Sequence, residues 1–184
     1  CSQHCQKGTP EFLERVLGRA RQLTTTPLLL LRLDSGNDAI ENIAVVEAHN
    51  EQDEQATPVH YLIKWNPRKE SPERWLAYAE AHGGWSEPRP GKRLALFEVH
   101  ETRTFDGYDY PLRRVMRVIE RTIDKRGQQL LVPEIEIEGW WTSLLFDEET
   151  IIALYADHGT SEQYHSEFKT DLDIERLPSG KFAT

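Results

Sequence analysis

Apolar residues recur at helical spacing early in the chain, at Phe12, Leu13, Val16, Leu17 and Ala20. A face repeating every three to four residues predicts an amphipathic helix. Thr9-Pro10-Glu11 supplies its start, as N-cap, first-position proline and first-turn acid. Thr24-Thr25-Thr26-Pro27 ends it. Leu28 to Leu33 is then almost continuously apolar, interrupted only by Arg32. So short a run between breakers predicts a strand buried on both faces, as in a parallel sheet covered by helices. Asp34 closes this strand ahead of a Ser35-Gly36 turn. Asp38 to His49 predicts a second helix with Ile40, Ile43, Ala44 and Val46 inside, and residues 50–57 a polar loop. Val59 to Trp65 predicts a strand ended by Asn66-Pro67. Ser71-Pro72-Glu73 starts a third helix, with Trp75, Leu76 and Ala79 as its apolar side and Gly83-Gly84 as its stop. Alternating helices and strands predict an α/β domain.

Beyond Pro88-Arg89-Pro90-Gly91 the period changes from helical to two. Leu94–Thr104, Leu112–Thr122 and Glu134–Glu138 alternate apolar with polar residues, and Asp106-Gly107 and Lys125-Arg126-Gly127 are turn signals between them. This predicts an antiparallel β insertion, 92–145, between an α/β portion, 1–91, and closing helices, 146–184. In the last portion Gly159 suits the residue that ends one helix after Thr150-Ile-Ile-Ala-Leu. Thr160, with Gln163 three places on, has the spacing of a helix-starting capping box.

Composition narrows the class. With 184 residues, 38% hydrophobic, the chain is long enough for a sizeable core. Mean hydropathy is −0.63. Apolar runs such as Leu28 to Leu31 are far short of a membrane span, so a cytoplasmic protein without membrane contact is expected. Cys1 and Cys5 flank His4 without a second ligand pair at metal-site spacing, so free reduced thiols are expected. The chain opens on Cys1 rather than Met and is read as an internal portion of a longer protein. The net charge of −9 argues against a general nucleic-acid binder, yet 92–126 carries nine Lys or Arg against six Asp or Glu. That local excess is compatible with DNA contact over a limited surface, and equally with none.

Candidate chemistry gathers at a few positions. Asp34 ends a predicted buried strand, where sites form in open α/β sheets, although capping the next segment is a serious competing role. Glu162 and Lys169, seven apart, share one face of the last predicted helix, an ordinary solvated arrangement that also suits holding a metal beside a phosphate. Arg113, Arg117 and Arg121 share a strand face. They either track a DNA backbone or pair with Glu98 and Glu101. Trp140 and Trp141 point to opposite sides of a strand, so one of the two is expected in the core. Tyr155 suits the core and a phosphate contact equally.

Tyr155-x2-His158-x3-Glu162-x6-Lys169 resembles the Y-x2-R-x3-E-x6-K signature of DDE transposases from bacterial insertion sequences, departing from it at His158. Leu28-Leu-Leu-Leu-Arg-Leu-Asp34-Ser-Gly36 resembles the strand and turn carrying that family's second catalytic Asp. The likeness extends through Leu62–Pro67 to Leu177–Phe182. It implies an RNase H-like mixed sheet flanked by helices, with a β insertion between the second Asp and the Glu. It implies Asp34 and Glu162 as catalytic residues holding two Mg2+ ions, with Mn2+ as a substitute, and a first Asp upstream of residue 1. Contacts to double-stranded DNA are implied for Lys169, Tyr155 and His158, and base stacking for one of Trp140 and Trp141. The implied reaction is cleavage at transposon ends and strand transfer, by a protein dimeric when intact and located on the bacterial nucleoid. A relic that only binds DNA or another subunit, and an RNase H-like nuclease without strand transfer, are the alternatives.

Overall fold

A computed structural model describes residues 7–23, 29–52, 56–68 and 70–157. Its elements run α1 (Thr9–Leu23), β1 (Leu29–Leu33), a 3-10 turn (Ser35–Asn37), α2 (Ile40–Glu51), β2 (Val59–Lys64) and α3 (Pro72–His82). Then come β3 (Gly84–Arg89), β4 (Lys92–Phe105), β5 (Tyr108–Ile123), β6 (Gln129–Thr142) and α4 (Glu148–Ala156). The fold is α/β. All six strands form one mixed sheet in the order β1-β2-β6-β5-β4-β3. Only β1 and β2 are parallel, joined through α2, with Leu33 beside Ile63 at their carboxyl ends. The three long strands extend this same sheet, because β6 pairs antiparallel with β2.

Local chemistry explains most boundaries. Ser71 caps α3, accepting from Arg74 N at 3.3 Å, with Pro72 in the first helical position. Asp147 caps α4, accepting from Thr150 N at 2.8 Å. Asp106 and Gly107, at φ 50 and 81°, form the two-residue loop between β4 and β5, a left-handed pair that matches strand twist. Two boundaries differ from expectation. α2 begins at Ile40 rather than Asp38, and its N-cap Ala39 makes no side-chain bond. The Asp38 carboxylate is spent elsewhere, on Asn66 N at 2.7 Å and Trp141 Nε1 at 2.9 Å. β3 fills the stretch after the Gly83-Gly84 helix stop, where no element is predicted; as an edge strand it tolerates Pro88.

Helices cover both faces. On one, Leu17, Ile43, Val46, Trp75 and Ala79 pack onto Val59, Tyr61, Ile63, Phe97, Met116, Val118 and Trp141. On the other, α4 brings Ile151 against Leu62, Val115, Trp140 and Leu144. Trp140 and Trp141 are therefore both buried, 2% and 0% exposed, where one was expected inside. Strand alternation does send them to opposite sides, and each side has its own cover. Among the described residues no helix is long and apolar enough to cross a membrane.

Candidate functional site

The carboxyl ends of β1 and β2 meet the end of α4 on one side of the sheet. In β1, Leu29, Leu31 and Leu33 pack toward α1–α3 while Leu30 packs toward α4. Arg32 shares the Leu30 side. Its Nη1 donates to the carbonyl of Leu154 and, at 3.4 Å, to that of Tyr155, and its guanidinium lies 5.9 Å from the Tyr155 ring. A cation in an apolar strand is costly without partners. Arg32 finds them in the unsatisfied carbonyls at a helix C-terminus, where the dipole also favours it. The single break in the Leu28–Leu33 pattern is thus the tie that holds α4 over the end of β1.

Asp34 is the next position with the Leu30–Arg32 parity, in extended backbone at φ −77, ψ 175°. It is exposed. The competing role is real: Asp34 Oδ1 accepts from Gly36 N at 3.0 Å and from Asn37 Nδ2 at 2.8 Å, capping the 3-10 turn. Both bonds use Oδ1, and Oδ2 has no protein partner among the described residues. Lys64, at the corresponding end of β2, lies 4.0 Å from the Trp140 ring and 5.7 Å from the Tyr155 ring. Its ammonium meets Glu138 Oε1 at 2.5 Å, while Arg117 Nε reaches Glu138 Oε2 at 2.7 Å. Burial pushes the Lys64 ammonium below its ordinary range, against the pull of Glu138. Burial raises the Glu138 carboxyl, but hydrogen bonds from Lys64 and Arg117 outweigh it and leave the group below the ordinary value.

The arginine face of β5 is neutralised by acids. Arg113 pairs with Glu98 and also donates to the carbonyls of Leu144 and Phe146; Arg117 pairs with Glu138; Arg121 pairs with Glu136 at 2.6 Å and Glu134 at 3.8 Å. Register explains this, since Arg117 faces Glu138 and Arg121 faces Glu134 across β6. The expected partners lay on β4, and Glu98 alone of those two pairs with this face. A phosphate approaching these arginines has to displace a carboxylate, which corrects the picture of an open basic track. Trp140 and Trp141 likewise offer no exposed ring for stacking a base. Trp140 packs on Tyr155, ring centroids 6.2 Å apart, and Trp141 has Arg103 and Arg114 against it at 4.4 and 4.6 Å.

His158, Glu162 and Lys169 lie outside the described residues. Of the expected metal ligands Asp34 alone is placed, as an exposed carboxylate with one free oxygen, the kind of hard donor Mg2+ takes. Glu138 is held by two cations, Lys64 and Arg117. Among the described residues no group of three or more His, Cys, Asp or Glu is placed to hold a metal ion. Arg32, Lys64, Glu138 and Asp38 are the residues that sequence reasoning left without a role. For Arg32 and Lys64 the signal was a charge inside an otherwise apolar strand. For Glu138 and Asp38 only pairing register reveals the partner.

No family model, no curated protein and no solved structure matches the chain.

Proposed function

We propose that this chain is part of the catalytic core of a DDE transposase, an RNase H-like domain performing Mg2+-dependent cleavage at transposon ends and strand transfer. The observation that supports this most is the Arg32 tie. It sets Tyr155, first residue of the transposase-like signature, beside β1 two residues before Asp34. Glu162 follows Tyr155 by seven residues, a reach of at most about 25 Å. The reading requires Glu162 to reach Asp34 across that span. Asp34 and Glu162 are two of the metal-holding carboxylates. Bound there, Mg2+ supplies a polarised oxygen nucleophile and stabilises the leaving oxygen. Tyr155 packs against Trp140, ring centroids 6.2 Å apart, and lies 5.7 Å from the Lys64 ammonium. Partners under this reading are the double-stranded DNA of transposon ends and target, with a second copy in the intact protein.

Metal binding by the chain tests the assignment. In a Mn2+ titration followed by water proton relaxation, Asp34→Asn and Glu162→Gln are each expected to weaken binding about tenfold or more, the loss of one charged ligand. Unchanged affinity in either variant removes that residue from the site. Given paired transposon ends, the intact protein is expected to yield joined strands; cuts alone would favour the nuclease alternative.

A further inference from the structure

The same end of the sheet carries a second, separate site on the opposite face. A pocket of about 630 Å³ opens where β2 runs out, lined by Asp38, Trp65, Asn66, Pro67, Arg68, Glu70, Ser71, Arg74 and Arg103. Its wall belongs to the α1–α3 side, since Trp65 lies in that core and Trp141, which Asp38 holds, lies beside it. Three guanidinium groups face two acids there, and one of those acids is spent. Asp38 gives one oxygen to Asn66 N and the other to the Trp141 indole. Glu70 reaches only Arg74, at 3.6 Å.

The guanidinium groups are far from saturated. Each carries five N–H donors. Arg68 uses Nη2 on the Asp38 carbonyl at 3.0 Å, and Arg103 uses Nε on Glu101 at 2.7 Å. Arg74 makes only the long contact to Glu70, and its side chain is 76% exposed. Behind them Arg114 is 4% exposed, 4.5 Å from the Trp65 ring, 4.9 Å from Trp75 and 4.6 Å from Trp141, and its Nε has no partner. Arg114 Nη2 pairs with Glu101 at 3.6 Å, the same carboxylate that Arg103 uses, so one acid serves two guanidinium groups and this wall keeps a net positive potential. Forked donors converging from several elements match the oxygens of a phosphate. The volume suits a small organic anion.

We infer that the Arg68–Arg74–Arg103 pocket is a phosphate-binding site, for a phosphodiester of a nucleic-acid backbone or for a free phosphate compound. It does not rest on the transposase reading, because neither Asp34 nor Glu162 lines it. The probe is inorganic pyrophosphate, titrated calorimetrically at about 50 mM salt, where phosphate contacts are least screened. Saturable one-to-one binding is expected in the wild-type chain. Arg74→Gln and Arg103→Gln are each expected to weaken it about tenfold, the share of one charge-assisted contact. The Arg74 side chain is largely exposed, so its variant keeps the fold and isolates the charge. Arg126→Gln, an equal charge change at the exposed β5–β6 turn, is expected to leave affinity within about twofold, as is Asp34→Asn. Displacement of pyrophosphate by a DNA oligonucleotide assigns the site to backbone phosphate. Retention of pyrophosphate against DNA assigns it to a small phosphate compound, and both results keep the anion site. Absence of saturable binding, or equal weakening by Arg126→Gln, overturns it.

Discussion

Trp141→Ala is expected to remove most of the chain's stability. Trp141 is completely buried, and three unlike neighbours depend on it. Asp38 needs the indole N–H for one of its two carboxylate bonds, Arg114 needs the ring as part of its three-tryptophan cage, and Arg103 lies on it. Removing such a ring costs about 3–5 kcal/mol in lost burial and cavity formation. Exposing a buried guanidinium and a buried carboxylate to imperfect surroundings adds to that. Total stability of a domain is only about 5–15 kcal/mol, so the loss takes most of it. Trp141→Phe separates the contributions. The ring and the cage persist, Asp38 loses one donor, and a smaller loss of about 1–3 kcal/mol is expected. Urea unfolding followed by circular dichroism measures both. Equal effects of Ala and Phe would show that the Asp38 bond, not the ring, dominates.

Glu138→Gln has the second-largest expected effect. Its carboxylate neutralises Lys64 and Arg117 together, and both cations are mostly covered, 21% and 28% exposed. Breaking a fully buried pair costs about 3–5 kcal/mol. With Glu138 itself 19% exposed, water screens part of this, and about 2 kcal/mol is expected. The pH dependence gives the sign. The two hydrogen-bonded cations hold the Glu138 carboxyl below its ordinary value of 4.5, in spite of burial. A carboxyl lowered on folding stabilises the protein above its unfolded value and loses that contribution as pH falls through its folded value. The gap between wild type and Glu138→Gln is therefore expected to stay level from pH 6 to 8 and to close below about pH 4.5. Urea midpoints across that range measure it. A gap that widens in acid would mean that the neutral form of Glu138 is the one the fold prefers.

Periodicity carried much of this architecture. The apolar spacing of Leu13 and Leu17, the Ser71-Pro72 start and the Asp106-Gly107 turn each act through their own backbone, and each is found where local chemistry places it. The α/β class followed from that order. What escaped was settled by contacts between distant segments. Asp38 looks like a helix cap because its short-range options are all caps; only the folded chain brings Asn66 and Trp141 to it. The arginines of β5 look like a basic track because nothing local shows that Glu134, Glu136 and Glu138 stand opposite. β3 escaped because an edge strand with one exposed face has little apolar alternation to show. At the candidate site, Asp34 was legible as a strand-end acid and its turn-capping bonds were legible too. The role of Arg32 in placing Tyr155 was not, since Leu154 and Tyr155 lie more than 120 residues away in the chain.

The distance between positions 34 and 162 decides the matter most directly. Spin labels on Asp34→Cys and Glu162→Cys, with Cys1→Ser and Cys5→Ser, give it by double electron–electron resonance. With Tyr155 tied to the end of β1 and Glu162 seven residues on, a shared metal site requires a narrow distribution at roughly 10–20 Å. A main population beyond about 30 Å, where seven residues are nearly fully extended away from the sheet, would contradict a shared metal site and the transposase reading with it.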